Sequence, residues 1–112
     1  MMYEYAAELV RVIDGDTVVL DIDLGCHVTI RETIRLADIN APEIRGSLAF
    51  AGVQSTLHLR ELIGNDSPLW IRTFEDKQGK YGRYIATIYG ASGESLNTRM
   101  VQDGYAVAVE YD

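Results

Sequence analysis

The sequence predicts a mainly β protein: one small barrel of five strands, with a helix after the third strand and a short second helix near the C-terminus. Three observations predict it. Strand-like runs flank an Asp14-Gly15 dipeptide near the N-terminus. A segment with helical spacing, opened by Ser47 and closed by Gly64, follows the third strand-like run. Two further apolar runs come after it, at 69–74 and 84–89.

The first hairpin rests on turn chemistry. Leu9 to Val12 and Thr17 to Ile22 are strand-like, and Asp-Gly between apolar runs is a strong hairpin signal. A third strand is expected from Val28 to Ile39, with Ile30, Ile34 and Leu36 among its apolar positions. Pro42 ends it, because proline has no N–H to give to a ladder. Ser47 then serves as an N-cap, and Leu48, Ala51, Ser55, Leu59 and Leu62 recur at spacings of three and four as one helix face. Gly64 is the C-terminal stop. Glu75 to Gly82 is polar and contains glycine, and is expected to be a loop. A second helix is expected from Ser95 to near Gly104, then a last short strand from Tyr105 to Val109. Three strands, a helix and two strands is the order of a five-stranded OB-fold Greek-key barrel, whose helix between strands 3 and 4 plugs the bottom.

Composition sets the outer bounds. The chain of 112 residues suits a single domain over 1–112 with one modest core. No apolar run approaches the ~20 residues that span a bilayer, so no membrane partner is expected. Met1-Met2-Tyr3-Glu4-Tyr5 lacks both a basic segment and an apolar one, which predicts a cytoplasmic protein. Cys26 is the single cysteine. It can form neither an internal disulfide nor a thiolate metal site, and it is expected to be a partly buried small apolar residue. The net charge of −7 opposes non-specific nucleic-acid binding. Its distribution does not. Residues 1–30 carry six acids and one base, residues 84–112 four acids and one base, and residues 31–83 seven acids and eight bases. The cations gather in the middle, where a local basic cleft can form on an acidic body.

Four clusters carry chemistry beyond what a fold requires. Asp14-Gly15-Asp16-Thr17 is a turn by composition. Asp16, at the start of a strand, also offers a hard oxygen ligand of the kind calcium prefers. Arg35 stands between Ile34 and Leu36, where a guanidinium needs either an ion-pair partner or a ligand. Its planar fork suits a phosphate. Glu43 follows Pro42 at a strand exit. By itself it is a surface carboxylate; beside a metal and arginines it can take a proton from water. Lys80-Tyr81-Gly82-Arg83 is either a turn or a cation, an aromatic platform and a second guanidinium able to stabilise a charged phosphorus transition state. His27 and His58 are expected to be structural or surface residues, and Trp70 and Phe74 to lie in the core or barrel wall.

Val12-Ile13-Asp14-Gly15-Asp16-Thr17, Ile34-Arg35-Leu36 with Ala41-Pro42-Glu43, Lys80-Tyr81-Gly82-Arg83, and Leu96-Asn97 with Gly104 resemble the staphylococcal nuclease (thermonuclease) family, collinearly over roughly residues 8–111. The resemblance implies an OB barrel and a calcium-dependent nuclease acting on DNA and RNA and leaving 3′-phosphate ends. It implies Asp16 as a calcium ligand, Arg35 and Arg83 on the scissile phosphate, and Glu43 as general base. Lys80 and Tyr81 would lie along the nucleotide, and the Ala41 carbonyl would complete the calcium shell. The family pattern has an aspartate ligand where this chain has Asn40. An amide keeps the oxygen and loses the charge, so weaker metal binding is expected. Asp38 or Asp14 is the candidate to restore that charge, Asp38 because side chains at i and i+2 of a continuing strand share a face.

Two functions from different classes follow. The first is a calcium-dependent endonuclease built on Arg35, Glu43 and Arg83. The alternative is a catalytically weakened OB module that binds single-stranded nucleic acid or a protein partner. Asn40 and the net charge favour the alternative; a carboxylate kept among arginines favours the enzyme. Monomer and homo-oligomer are equally compatible with the sequence.

Overall fold

A computed structural model describes residues 2–44, 46, 49–78 and 84–109. Its core is a closed barrel. The strands are β1 (Met2–Asp14), β2 (Thr17–Gly25), β3 (Val28–Leu36), β5 (Leu69–Gln78) and β6 (Tyr84–Tyr89), hydrogen-bonded in the order β1-β2-β3-β6-β5. All pairings are antiparallel except β3–β6, which is parallel. The long β1 closes the cylinder by pairing with β5 through its first half and with β2 through its second. A short strand β4 (Ile39–Asn40) pairs outside the barrel with β7 (Val107–Ala108). Helix α1 (Ala49–Ile63) lies between β4 and β5, and α2 (Leu96–Gln102) follows β6. This is the OB-type architecture expected from the order of elements. Neither described helix is long and apolar enough to cross a bilayer.

The interior follows strand alternation. Val18, Leu20 and Ile22 of β2, Ile34 and Leu36 of β3, Leu69 and Ile71 of β5, and Ala86 and Ile88 of β6 point inward and are buried. Leu59 and Ile63 of α1 and Leu96 and Met100 of α2 join the same cluster. Alternation also corrects one expectation. With Leu69 and Ile71 inside, Trp70 faces outward and is 50% exposed, opposite Tyr89 on β6. Its indole is on the barrel's outer surface, not in the core.

Four other expectations change. The third strand does not continue to Ile39. It stops at Leu36, and Asp38 takes a left-handed backbone (φ 62) before β4 begins. The turn is held by Ala37 N–H on the Ala86 carbonyl (2.8 Å) and by Val109 N–H on the Asp38 carbonyl (2.9 Å). Strand β5 reaches Gln78, which pairs with Tyr84, so 75–78 are strand rather than loop. Cys26 is exposed, in the β2–β3 turn beside His27 with positive φ at both residues, and not partly buried. Finally, α1 buries Gly52, Ser55, Thr56, Leu59 and Ile63. Ser55 and Leu59 were on the expected face, whereas Ala51 is exposed and Leu62 only half-buried. The helix is rotated because its closest approach to the barrel requires small residues. Ser47 and Leu48 lie outside the described residues.

Three polar devices hold the helices. Ser95 caps α2, its hydroxyl accepting the Thr98 N–H at 3.2 Å. His58 of α1 stacks on Tyr105 and shares a 2.7 Å contact with Asp103, whose other partner is Arg99. The hydrogen bond from His58, then that from Arg99, hold the Asp103 carboxyl below its ordinary range. His58 is therefore structural. Asn97 is the most economical of these parts. Its buried amide accepts from Ile88 N–H at 3.0 Å and donates to the carbonyls of Ala37 (3.0 Å) and Ala86 (3.2 Å). It thereby fixes α2 and β6 to the turn that launches β4. Replacing it by Ala takes the partner from one buried donor, Ile88 N–H, and one acceptor, the Ala37 carbonyl, while the Ala86 carbonyl keeps the Ala37 N–H; the cost is about 1–3 kcal/mol for each group left unsatisfied. Asn97→Ala is expected to lose about 2–4 kcal/mol in chemical denaturation, with Asn97→Asp recovering part of it through the Ile88 bond.

Candidate active site

Two glycines let the site form. Gly15 has an ordinary backbone, but a Cβ there would stand 2.0 Å from Ser55 Oγ and 2.7 Å from Ala41 Cβ. The β1–β2 turn, helix α1 and the loop after β4 therefore meet at one point. Ser55 uses its hydroxyl to hold the Tyr105 carbonyl at 2.7 Å. Gly52 does the same for the loop that carries Glu43. A Cβ on it would lie 2.1 Å from the Glu43 carbonyl oxygen and 2.7 Å from Ile44 N. The first turns of α1 thus set the backbone of Glu43 directly.

Asp16 is the centre of the cluster. It sits in the turn ahead of β2, is buried, and its carbonyl accepts from Leu36 N–H at 2.8 Å. Thr17, its neighbour, is in register with Arg35 on β3, which brings that guanidinium across the ladder. Arg35 Nη1 meets Asp16 Oδ2 at 2.7 Å. Arg35 Nη2 donates to the Asn40 side-chain oxygen and to the Ile39 carbonyl, the latter at 3.1 Å. Ala41 N–H donates to Asp16 Oδ2 at 2.9 Å, and Thr17 Oγ1 to Asp16 Oδ1 at 2.9 Å. Asp14 Oδ1 accepts from Asp16 N–H at 3.1 Å.

The electrostatics divide the two aspartates. Burial, then the adjoining Asp16 carboxylate, push the Asp14 carboxyl up to about 6. Burial acts on Asp16 in the same direction, but hydrogen bonds from Asp14, Ala41 N–H and Arg35, together with the charge of Arg35, outweigh it and leave Asp16 below its ordinary range. Below about pH 6 the Asp14 carboxyl carries a proton while its neighbour stays ionised.

The expected residues are distributed as follows. Asp14, Asp16, Arg35, Asn40 and Ala41 come together. Ala41 meets Asp16 through its N–H. Asp38 does not share a face with Asn40, since the strand that would have aligned them is broken at its own left-handed turn; its side chain is exposed and borders a cleft with Ala37, Thr87 and Asn97. Glu43 is exposed in the loop after Pro42, with no side-chain hydrogen bond or ion pair among the described residues. Lys80, Tyr81 and Arg83 lie outside the described residues. Beside the loop, Asn40, Ala41 and Pro42 line one wall of a cleft of about 270 Å³, with Tyr105, Ala106 and Val107 on the other. Sequence reasoning read Gly15 as a turn residue only and passed over Gly52. The available signal for Gly52 was its place inside the helical run, where the cost of a glycine calls for a packing reason.

The donors suit a hard divalent ion in kind. They are two carboxylates, one side-chain amide oxygen and nearby backbone carbonyls, with no sulfur or imidazole. Among the described residues no three acidic, histidine or cysteine side chains gather as a ready metal cage. The set therefore fits calcium by chemistry and is sparing in charge.

Residues 33–112 match the family described as staphylococcal nuclease homologue, which covers most of the chain. The chain belongs to this nuclease family. Its similarity to a curated relative points the same way: it is 27% identical over 112 residues to the protein named Endonuclease YhcR of Bacillus subtilis (strain 168). That alignment takes in 92% of this chain and 9% of the relative, so the chain spans about a tenth of the longer protein. The staphylococcal nuclease match begins at residue 33, on β3 just before Arg35, and includes Asn40, Ala41 and Glu43. The Asp14–Asp16 turn lies ahead of it, and the geometry ties that turn to the matched segment.

Two outcomes test this geometry. Alanine favours a helix over glycine by roughly 1 kcal/mol, but backbone atoms cannot yield as a flexible side chain would. Gly52→Ala is therefore expected to destabilise the protein by about 1–3 kcal/mol through overpacking, read by denaturant titration. The raised Asp14 carboxyl costs stability as it ionises, because the folded state binds that proton more tightly than the unfolded chain does between the ordinary 3.8 and about 6. In EDTA, the melting temperature of Asp14→Asn relative to the parent should rise from pH 4 to pH 6 and stay level above that. Asp16 acts in a lower window: its contribution is present above 3.8 and lost as the pH falls further.

Proposed function

We propose that the protein is a calcium-dependent endonuclease acting on phosphodiester bonds of DNA or RNA. Membership of the staphylococcal nuclease homologue family carries this reading. The convergence of Asp16, Arg35, Asn40 and Ala41, with Glu43 set close by through Gly52, supports it.

Asp16 and the oxygen of Asn40 would hold the ion, with Asp14 adding charge. A bound calcium ion supplies polarisation of the phosphate and neutralises its charge. Arg35, and Arg83 from the Lys80-Tyr81-Gly82-Arg83 segment, bind the non-bridging phosphoryl oxygens and stabilise the charge that builds as water adds to phosphorus. Glu43, exposed to solvent and without a competing partner among the described residues, accepts the proton of the attacking water. The bond to the 5′-oxygen of the leaving nucleotide breaks in line with that attack, its electron pair going to that oxygen, which takes a proton from solvent to become a 5′-hydroxyl, and a 3′-phosphate is left. Lys80 and Tyr81 contact the nucleotide flanking the scissile bond.

Asn40 favours a second reading, a module that holds nucleic acid without cutting it, because it removes a charge from the ion site. Digestion of labelled DNA and RNA separates the two. The enzyme reading expects calcium-dependent products bearing 3′-phosphates, abolished by EDTA, with Glu43→Ser and Arg83→Ala each lowering the rate by about 10²-fold or more. Binding without cleavage at saturating calcium would establish the module, and cleavage undiminished in EDTA would remove calcium from the account.

A further inference from the structure

A hard cation and a guanidinium ask for the same thing, a cluster of oxygens, and here one guanidinium has it. Arg35 reaches Asp16 Oδ2 at 2.7 Å with one terminal nitrogen, and the Asn40 oxygen and the Ile39 carbonyl with the other. We propose that Arg35 is the resident cation of the metal site, holding the oxygens of Asp16 and Asn40 until a divalent ion displaces it. The identity of the ion rests on the calcium-dependent reading above; the displacement rests on the contacts alone.

Lone-pair counting shows what the displacement frees. A carboxylate offers about four acceptor positions. On Asp16, Arg35 Nη1 and Ala41 N–H fill Oδ2 and Thr17 Oγ1 takes one position on Oδ1, so three of the four are used, and a cation that binds through Asp16 Oδ2 and the Asn40 oxygen meets Arg35 at both. The Ala41 and Thr17 donors belong to the turn and loop that build the site. Arg35 is the partner on a long, rotatable side chain, and its departure frees an oxygen on Asp16 and the oxygen on Asn40 together. Asn40 is thus an arginine-positioning residue as well as a prospective ligand. A neutral oxygen at this position suits that double use, because a third carboxylate would grip the guanidinium more strongly. The released guanidinium is then delivered to the phosphate, so that metal arrival and phosphate capture are coupled through one side chain.

The test is metal affinity measured without substrate, so a failure to cleave leaves it intact. Calorimetric titration with calcium alone should show Arg35→Gln binding the ion about tenfold or more tightly than the parent, since a charge-assisted hydrogen-bonded fork no longer competes. Equal or weaker binding, or no binding by either protein, overturns the proposal. Mere through-space repulsion would also tighten the variant, but that gain fades in about 0.5 M KCl, whereas displacement persists; a gain that vanishes in salt overturns it too. Arg35→Gln leaves Asp16 without its cation and could fail to fold, so the parent protein supplies the second readout. The ¹⁵N–¹H signals of the Arg35 guanidinium should shift along the calcium titration with the calorimetric dissociation constant, and signals that stay unmoved through saturation overturn the proposal.

Discussion

One buried carboxylate organises this molecule. Asp16 has left water, and its remaining solvation comes from the protein: the Arg35 fork from β3, the amide of Ala41 beyond β4, and the hydroxyl of Thr17. The first two of these contacts tie distant parts of the chain to the β1–β2 turn. Removing either member of a buried ion pair strands the other, at a cost of about 3–5 kcal/mol, so the pair is held in place by what its loss would expose. Local structure and prospective chemistry here use the same atoms. That limits how far the site can drift, because a change that loosens it also loosens the barrel mouth.

Helix α1 shows the accommodation this requires. A helix interior ordinarily avoids glycine, and a face turned to a β-barrel ordinarily carries large apolar groups. Near its start α1 presents Gly52 and Ser55 instead, and only deeper down does it present Leu59 and Ile63. Close backbone contact at the upper end gives Glu43 a rigid floor, and apolar burial at the lower end supplies the adhesion. The large apolar residues of the upper turns are displaced to the outside, where Phe50 is 78% exposed and Val53 and Leu57 lie on the same side.

Much of this was legible in the sequence, for identifiable reasons. The Asp-Gly turn, the alternating runs and the helical spacing each depend on short-range chemistry, so the order of barrel elements and helices could be read directly. The family motifs located Asp16, Arg35, Asn40, Ala41 and Glu43 in one region. What was not legible depends on contacts between distant segments. Nothing local announces that Asp38, an L-residue that tolerates the left-handed region, ends a strand. The polar stretch after Phe74 continues as strand because Gln78 finds Tyr84 across the hairpin. The face of α1 was displaced because the glycines that admit it meet residues from two other segments. Trp70 was recoverable by counting in twos from Leu69 and Ile71.

The parallel pairing of β3 with β6 has a consequence for how the chain reaches this state. The first three strands form a meander with two open margins: the N-terminal half of β1 on one side and β3 on the other. Both are sealed by the β5–β6 hairpin, which comes after α1 in the chain. Until that hairpin docks, the apolar inner faces of β2 and β3 have no opposite wall, and unpaired amides on both margins are open to other strands. Assembly is therefore governed by one late, long-range event. A nascent chain that has released only its first half carries the acidic turn of the future site but none of the enclosure that gives its carboxylates their character.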